Sequence, residues 1–464
     1  MVNIVDSGGS NTPQELETFL PTDGSNGLRY KVTPRKDVEN GNVKEFDPFA
    51  LRDNPHPTTD NETLTHLLKA SLGTGILSMP IAFMYSGIIL GLGATIFTSL
   101  ICTHCSYILV KCAHKLYYKT RRTQMSFAET AEVAFKTGPK WARKFAWFAK
   151  FLILLCLFLS YFGTCSVYTV IVARNFEQVL EYFFDLDISI RFLISTLLVP
   201  LILLSWIPNL KYLAPVSMVA NIFMATGLGI TFYYLVMEIP PITTRTYSNF
   251  STLPAFFAIT IFAMEAIGVV MPLENNMKTP QHFVGICGVL SQGMSGVTLI
   301  YMFLGFLGYL RYGDDTRESI TLNLPVNEVP AQIVKVFIGL AVYCTFGLQF
   351  YVCLQIVWDG VKDKCTKRPL MVNYVIRTVL VTAAVVLAVA VPSIAPFMGL
   401  IGAFCFSILG LLLPVFIEMV VYWDDGFGKY NWIIWKNIVI TIFGVLALIF
   451  GSLSAIKDIM LLYQ

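Results

Sequence analysis

Charged residues are scarce in this chain of 464 residues: only 14% are Asp, Glu, Lys or Arg, while 55% are hydrophobic. Soluble globular proteins carry roughly 25% charged residues. The shortage of charge and the mean hydropathy of +0.64 argue against a large soluble enzyme and favour a protein that crosses a membrane many times. The net charge is only +3, so the positions of the charges are more informative than their sum.

The sequence also lacks the short motifs of catalysis and nucleotide binding. It has no phosphate-binding loop of the Walker A type, no HExxH motif and no nucleophile elbow. Its ten cysteines lie in or beside apolar stretches, except Cys365 in a basic loop, which favours helix packing over a disulfide framework. We therefore expect neither an enzyme nor a nucleic-acid-binding protein, and no cofactor or resident metal.

Long apolar runs fill the rest of the chain. A helix needs about 20 mostly apolar residues to cross a bilayer. Residues 1–60 contain no such run, so we expect a disordered cytoplasmic tail there, without a signal peptide, before a transmembrane domain at 61–455 and a short non-cytoplasmic end at 456–464. Eleven stretches of the domain are long and apolar enough to span: 64–88, 89–114, 145–173, 190–207, 213–237, 253–274, 285–310, 331–357, 372–392, 395–422 and 432–454.

The loops between these spans alternate in charge. The second-to-third and eighth-to-ninth loops are rich in Lys and Arg, whereas the third-to-fourth and seventh-to-eighth loops lean acidic. Because basic loops stay on the cytoplasmic side, the N-terminus is predicted to be cytoplasmic. Asn249-Phe250-Ser251 falls in a predicted outer loop and forms a glycosylation sequon, so we expect Asn249 to carry a glycan.

The first span, which includes HLLKASLGTGILSMP from His66 to Pro80, is interrupted by small residues. Gly73-Thr74-Gly75 and Pro80 weaken a helix, since glycine costs about 1 kcal/mol relative to alanine and proline removes a donor. Irregular backbone in lipid survives only where it lines a cavity. The alternative interpretation is that small residues simply let another helix approach closely.

The sixth span is interrupted in a corresponding way. ITIFAMEAIGVVMPLENNMKTP contains Glu265, then Gly268 and Pro272. If the first ten spans form two five-helix halves, spans one and six correspond. Matched interruptions of this kind mark the midplane binding site of transporters with inverted repeats. Unpaired N–H groups would meet a carboxylate and unpaired C=O groups a cation, which suits a zwitterionic amino acid.

His66, Lys69 and Glu265 are ionisable side chains within these two spans. A charged residue at a helix centre costs about 2.5–3.5 kcal/mol on insertion scales, so Glu265 is a candidate for proton coupling; a permanently hydrogen-bonded structural carboxylate is the alternative. His66 lies near the predicted cytoplasmic end, where histidine chemistry responds to pH changes near neutrality. It is our first candidate for proton coupling, and an interfacial histidine without a role is the alternative. Lys69, which could extend to the surface, has no assigned role.

The motifs HLLKASLGTGILSMP, CAHKLYYKTRR, GTCSVYTVIVARN, FAMEAIGVVMPLENNMK and SITLNLP resemble those of the proton-coupled amino acid transporters, within the amino acid/auxin permease group. The resemblance extends from about residue 60 to 455 and is closest to an insect member. It implies an all-α, LeuT-like fold: a five-plus-five inverted repeat with one additional helix, eleven in total. It also implies symport of small neutral amino acids such as alanine, glycine or proline with a proton.

On this resemblance, the family's functionally important histidine matches His66, and its substrate backbone matches the interrupted parts of spans one and six. We therefore expect the substrate site to comprise Ser71, Gly73, Thr74, Gly75, Phe262, Glu265 and Gly268. Residence in the plasma membrane or in the lysosomal or late endosomal membrane stays open. So do two alternatives: an amino acid-sensing receptor with little flux, and a sodium-coupled transporter.

Overall fold

The computed structural model describes residues 46–463, except 53, 55–56, 186–187, 208–209, 238, 242–249, 265 and 363–367. The glycosylation site at Asn249, the carboxylate of Glu265 and residues 1–45 of the predicted tail lie outside the described residues. Residues 57–59, by contrast, lead directly into the first helix and pair with the end of the sixth span. The ordered part of the protein therefore begins before residue 61, because hydrogen bonds to the bundle compensate for the polar composition of this segment.

Helices make up nearly all of the described chain. Two stretches are wider π-helices, Ile401–Leu412 and Ala447–Gly451, and Thr74–Ser78 is a tighter 3₁₀ segment. The α-helices are α1 (Asp60–Ser71), α2 (Met79–Ser86), α3 (Ile88–Thr120), α4 (Phe127–Thr137), α5 (Lys140–Arg143), α6 (Ala146–Phe184), α7 (Ile190–Thr196), α8 (Leu198–Ser205), α9 (Leu210–Met237), α10 (Leu253–Met264), α11 (Ile267–Asn276), α12 (Val289–Tyr312), α13 (Val329–Val361), α14 (Pro369–Ala390), α15 (Ile394–Leu400), α16 (Leu413–Val421), α17 (Trp432–Leu446) and α18 (Ser452–Leu461).

These helices account for every stretch predicted to span. Among the described residues, nine helices are long and apolar enough to cross a membrane, and the bent pair Asp60–Ser71 and Thr74–Ser86 makes up to ten. The fourth predicted span corresponds to the shorter apolar stretch Ile190–Ser205. The all-α membrane architecture is thus confirmed, whereas the total of eleven spans stays a prediction.

Several helices run past the ends predicted from hydropathy. α3 continues to Thr120 and α6 to Phe184, and α18 continues the last span to Leu461. Lipid thickness fixes only the minimum length of a spanning helix, and polar residues extend it where tertiary packing buries them. In the last turns of α6, for example, Asn175 and Gln178 are buried.

Side-chain contacts define the two ends of the bundle. At one end, called the basic end here, the end of α3 meets residues 274–275 of the sixth span, and Lys115 pairs with Asp425. At the opposite end, called the acidic end, Glu318 reaches Ser393 and Ile394, and Thr252 donates to the Tyr85 carbonyl. The second and sixth spans therefore both run from the acidic end to the basic end.

The two interrupted spans lie at the centre of the bundle. In the most apolar 18-residue stretch of the helical segment Phe250–Asn276, 71% is buried inside the protein. The buried share of the corresponding stretch in Ile394–Val421 is 67%. The corresponding figure is only 28% for Met218–Met237, Pro369–Ala390 and Lys429–Leu461. These last three therefore present most of their surface to lipid, while the sixth and tenth spans are enclosed by other helices.

Candidate functional site

The first span breaks where the sequence predicts. α1 ends at Ser71, and Gly73 precedes the 3₁₀ segment with an extended backbone (φ −82°, ψ −164°). The two halves of the span are bent by 48° relative to each other. Thr74 and Gly75 are buried immediately after the bend. A helix end leaves carbonyl groups without intrahelical partners, so this break presents backbone polar groups inside the bundle.

The sixth span breaks at the same place along its length. α10 ends at Met264 and α11 begins at Ile267, with Ala266 at φ −118° and ψ −1° between them. Glu265, which precedes Ala266 in the sequence, is not among the described residues. The hydroxyl of Thr260, one turn earlier, is buried without a hydrogen-bond partner among the described residues. This second break thus also brings polar groups into the interior.

The two breaks touch each other. A Cβ atom added to Gly75 would lie 2.7 Å from the Cα of Ala263 and 2.8 Å from its Cβ. Phe262, the neighbouring residue, is largely buried, and its ring centroid lies 5.9 Å from that of Phe406 on the tenth span. Gly75 and Phe262 are therefore brought to one location, with only glycine and alanine at the point of closest approach.

Two tyrosines from other spans complete the surroundings of the first break. The hydroxyl of Tyr301 on α12 donates to the Ser71 carbonyl at 2.6 Å and interacts with the backbone of Gly73. The hydroxyl of Tyr168 on α6 accepts from Gln349 Nε2 at 3.3 Å and interacts with the Thr74 side chain. Both tyrosines are buried. Hydroxyl groups thus hold the opened backbone in place without closing it into a continuous helix.

Ser71 differs from its neighbours because its hydroxyl has no hydrogen-bond partner among the described residues, although its side chain is buried. A buried polar group without a partner is destabilising by about 1–3 kcal/mol. The hydroxyl lies at the last residue of α1, directly before the break. It is therefore the described group at this site best suited to bind a polar group of a substrate.

Two further predicted residues, Gly268 and His66, lie on the helices that flank the breaks. Gly268 is in the first turn of α11, where an added Cβ would lie 2.6 Å from the Tyr161 hydroxyl, so it allows α11 and α6 to pack closely. His66 is partly buried on α1, with the Glu62 carboxylate close enough to interact with it. It precedes Ser71 by five residues, about 7.5 Å along the helix axis. His66 thus lies towards the basic end and away from the break.

Sequence reasoning did not find Tyr301. It also assigned no role in the site to Tyr168 or Gln349. Tyr301 stands in the apolar run GVTLIYMFLGF without any neighbouring motif, so no local signal distinguishes it. Its role depends on the position of α12 beside α1, which only the tertiary structure shows.

We expect Tyr301→Phe to reduce uptake of alanine by about tenfold at low substrate concentration, because a buried hydrogen bond left unmade costs about 1–3 kcal/mol. Tyr343→Phe is the matched control, since the Tyr343 hydroxyl donates to the Pro200 carbonyl at 2.8 Å, outside the site. Radiolabelled uptake in proteoliposomes would measure both variants. Equal effects of the two substitutions would show that Tyr301 contributes only to packing.

Comparisons with known proteins show which family the sequence matches. Residues 56–457 match the family model described as transmembrane amino acid transporter protein. The chain is 72% identical over 466 residues to the proton-coupled amino acid transporter-like protein pathetic of Drosophila melanogaster, covering 100% of this chain and 98% of the relative. It is 25% identical to the amino acid transporter AVT3C of Arabidopsis thaliana, covering 90% and 94% of the two chains.

Two solved structures resemble it more distantly. The inward-facing conformation of Mhp1 matches with a TM-score of 0.48 and 13% identity, covering 89% of this chain and 94% of Mhp1. The substrate-bound, outward-open state of a sodium-coupled sialic acid symporter matches with a TM-score of 0.44 and 12% identity, covering 86% and 90%.

Proposed function

Because this chain belongs to the transmembrane amino acid transporter family, we propose that it carries small neutral amino acids together with protons across a membrane. The protein is a multi-pass membrane transporter and not an enzyme. The proposed mechanism is alternating access, in which the central site opens to one side of the membrane and then to the other. Alanine, glycine and proline are the proposed substrates.

The contact between the two breaks is the observation that supports this proposal best. At Gly75 and Ala263 two interrupted helices meet inside the bundle, near the buried and unpartnered hydroxyl of Ser71. Ends of half-helices present N–H groups to a carboxylate and C=O groups to an ammonium. An amino acid zwitterion carries both groups on adjacent atoms, so it matches two such ends placed side by side.

We assign the substrate site to the residues at the two breaks. We propose that the rings of Phe262 and Phe406, whose centroids lie 5.9 Å apart, limit the space for the substrate side chain and so favour small neutral amino acids. Glu265 is included on the strength of its position in the chain between α10 and α11. The proposed set is Ser71, Gly73, Thr74, Gly75, Phe262, Glu265 and Gly268.

Proton coupling is assigned first to His66 and second to Glu265. α1 carries both His66 and Ser71, so a change in the charge of His66 acts on the same half-helix that ends at the substrate break. A coupling group need shift the balance between the inward-open and outward-open states by only a few kcal/mol to link the two fluxes.

We expect alanine uptake to rise as the external pH is lowered from about 7.5 to about 5.5, because a higher external proton concentration drives the proposed coupled flux and histidine side chains respond to pH changes near neutrality. In His66→Ala, this rise should be largely lost. Lys69→Gln is the matched control, because Lys69 is an exposed residue on the same helix and should leave the pH profile unchanged.

The same uptake experiment distinguishes the alternatives. If uptake depends on sodium and not on pH, sodium and not the proton is the coupling ion. Purified protein that binds amino acids but accumulates none in vesicles would indicate a receptor instead of a transporter. A full pH response in a properly inserted His66→Ala protein would exclude His66 and leave Glu265 as the coupling candidate.

For the membrane orientation, we propose that the basic end faces the cytoplasm, in accordance with the positive-inside rule. The substrate would then enter from the acidic end, which faces the outside of the cell or the lumen of a lysosome. Asn249, in the loop before α10, would be glycosylated on that side. The proposed topology of the protein is the same in the plasma membrane and in the lysosomal membrane.

A further inference from the structure

A segment before the first helix crosses the basic end of the bundle. This segment, called the strap here, comprises residues 46–59, of which 53 and 55–56 are not described. Thr58 forms a parallel bridge with Met277: its N–H donates to the Asn276 carbonyl at 2.8 Å, and its carbonyl accepts from the Lys278 N–H at 2.9 Å. Asn54 Nδ2 donates to the Asn275 carbonyl at 2.9 Å. The strap is thus fastened to the chain where α11 ends.

Arg52 makes the strongest attachment of the strap. Its Nη2 donates to Glu274 Oε1 at 2.7 Å, its Nη1 to the Glu274 carbonyl at 2.9 Å, and its Nε to the Thr123 carbonyl at 2.9 Å. The guanidinium also lies 5.3 Å from the ring centroids of both Phe49 and Tyr117. Its side chain is only 4% exposed. All three guanidinium nitrogens are therefore used, in a geometry that lysine cannot reproduce.

The Glu274 carboxylate joins the strap to α3. It is fully buried, and the oxygen that accepts from Arg52 also lies 2.8 Å from His114 Nε2. Its other oxygen accepts from the Tyr117 hydroxyl at 3.1 Å. Removing one partner of a buried ion pair leaves an uncompensated charge, so Arg52 and Glu274 depend on each other in the closed arrangement.

These contacts connect both half-helices that lead from the substrate breaks to the basic end. α11 runs from its break at Ala266 to Glu274 and Asn275, which the strap holds. α1 follows the strap directly, and its first residue, Asp60, accepts from Thr279 Oγ1 at 2.6 Å and contacts His282 Nδ1 at 2.8 Å. If either half-helix moves away from the other, contacts between the strap and the chain at the end of α11 must break.

We propose that the strap is the gate at the basic end of the transporter, with Arg52 and Glu274 as its two gating residues. With the strap in place, α1, α3 and α11 are held together, and the way from the two breaks to the basic end is closed. Release of Arg52 from Glu274 frees α11 to move and opens this end. The proposal rests on the proposed transport cycle but not on the identity of the substrate or the coupling ion.

The first test measures amide hydrogen–deuterium exchange in purified protein without substrate or proton gradient. We expect Arg52→Gln and Glu274→Gln to raise the exchange rate of α11 by about tenfold or more, since hydrogen bonds to charged groups are among the strongest in proteins. The double variant should resemble the single ones, because each substitution breaks the same link. Arg122→Gln, an exposed arginine of the α3–α4 connection, is the matched control.

Exchange of α11 at the control rate in both gate variants would overturn the proposal. This experiment needs no transport, so it reports on the gate even if symport of amino acids with protons proves to be wrong. If hydrogen–deuterium exchange increases in every span, the variants are generally unfolded. The second test then decides whether the strap is a gate.

The second test fixes the strap in an otherwise intact protein. Gln124 Nε2 donates to Asn54 Oδ1 at 2.8 Å, and both side chains are at least partly exposed. In Asn54→Cys/Gln124→Cys, a short thiol-specific cross-linker that a reductant can cleave would hold the strap in place. We expect cross-linking to stop uptake and reduction to restore it, whereas in Asn54→Cys alone and in Gln124→Cys alone neither the cross-linker nor the reductant should change uptake. Normal uptake by the cross-linked protein would show that the strap does not need to move, and would refute the gate.

Discussion

Gly75→Ala is expected to abolish most alanine uptake, with a loss of at least about tenfold. The added methyl group would lie 2.7 Å from the Cα of Ala263, closer than real Cβ atoms approach. Because the obstacle is backbone and not the end of a flexible side chain, the two breaks must separate. Overpacking of this kind costs about 1–3 kcal/mol, and here the displacement falls on the groups that we assign to the substrate.

Gly73→Ala provides the control two residues away, because Gly73 is assigned to the site through its backbone, which alanine retains. An added Cβ there would approach nothing closer than the Tyr168 hydroxyl at 4.0 Å, and its backbone angles are open to alanine. Uptake by Gly73→Ala should therefore stay within about threefold of the original, an effect below about 0.7 kcal/mol. If the two variants transport equally well, the contact between the breaks has no part in substrate binding.

Gly402→Ala is expected to destabilise the protein and to reduce uptake together. An added Cβ would lie 2.1 Å from the Ala258 carbonyl oxygen and 2.9 Å from both the backbone nitrogen and the Cβ of Phe262. The π-helical part of the tenth span thus packs directly on the backbone of α10, one turn before the second break. Forcing these helices apart should cost about 1–3 kcal/mol and shift Phe262 in the site.

Gly399→Ala is the matched control, one turn earlier in the same span. Its added Cβ would make ordinary contacts of 3.7 Å with Ala258 and Ala455. The temperature at which detergent-purified protein loses its monodisperse chromatographic peak would measure stability, and vesicle uptake would measure function. A Gly402→Ala protein as stable and active as Gly399→Ala would contradict the close packing described here.

Hydropathy alone was sufficient to locate the helices and the interruption of the first span. The turn at Gly87, where φ is 74°, separates the first two spans close to the predicted boundary between residues 88 and 89. Gly73-Thr74-Gly75 likewise lies where α1 gives way to the 3₁₀ segment. These features are local, since a spanning helix needs a minimum number of apolar residues and glycine or proline weakens it at its own position.

Hydropathy failed where polar residues are covered by distant parts of the chain. The polar composition of residues 46–59 predicts a disordered tail. The Arg52 side chain is nevertheless buried, and it pairs with Glu274, more than 200 residues further along the chain. Glu274 is the last residue of the predicted sixth span and is followed by two asparagines, yet it is fully buried. A charged group in a polar segment has the same local sequence whether it meets water or an opposite charge, so composition cannot distinguish the two.

The sequence by itself determined that this protein is helical, crosses a membrane many times and has interrupted first and sixth spans, because the bilayer imposes these requirements on each segment separately. Only the tertiary structure decided that Gly75 meets Ala263, that Tyr301 holds the Ser71 carbonyl, and that Arg52 fastens the strap to Glu274. These three contacts join residues far apart in the chain. Their energies depend on how helices pack against one another, which no single segment encodes.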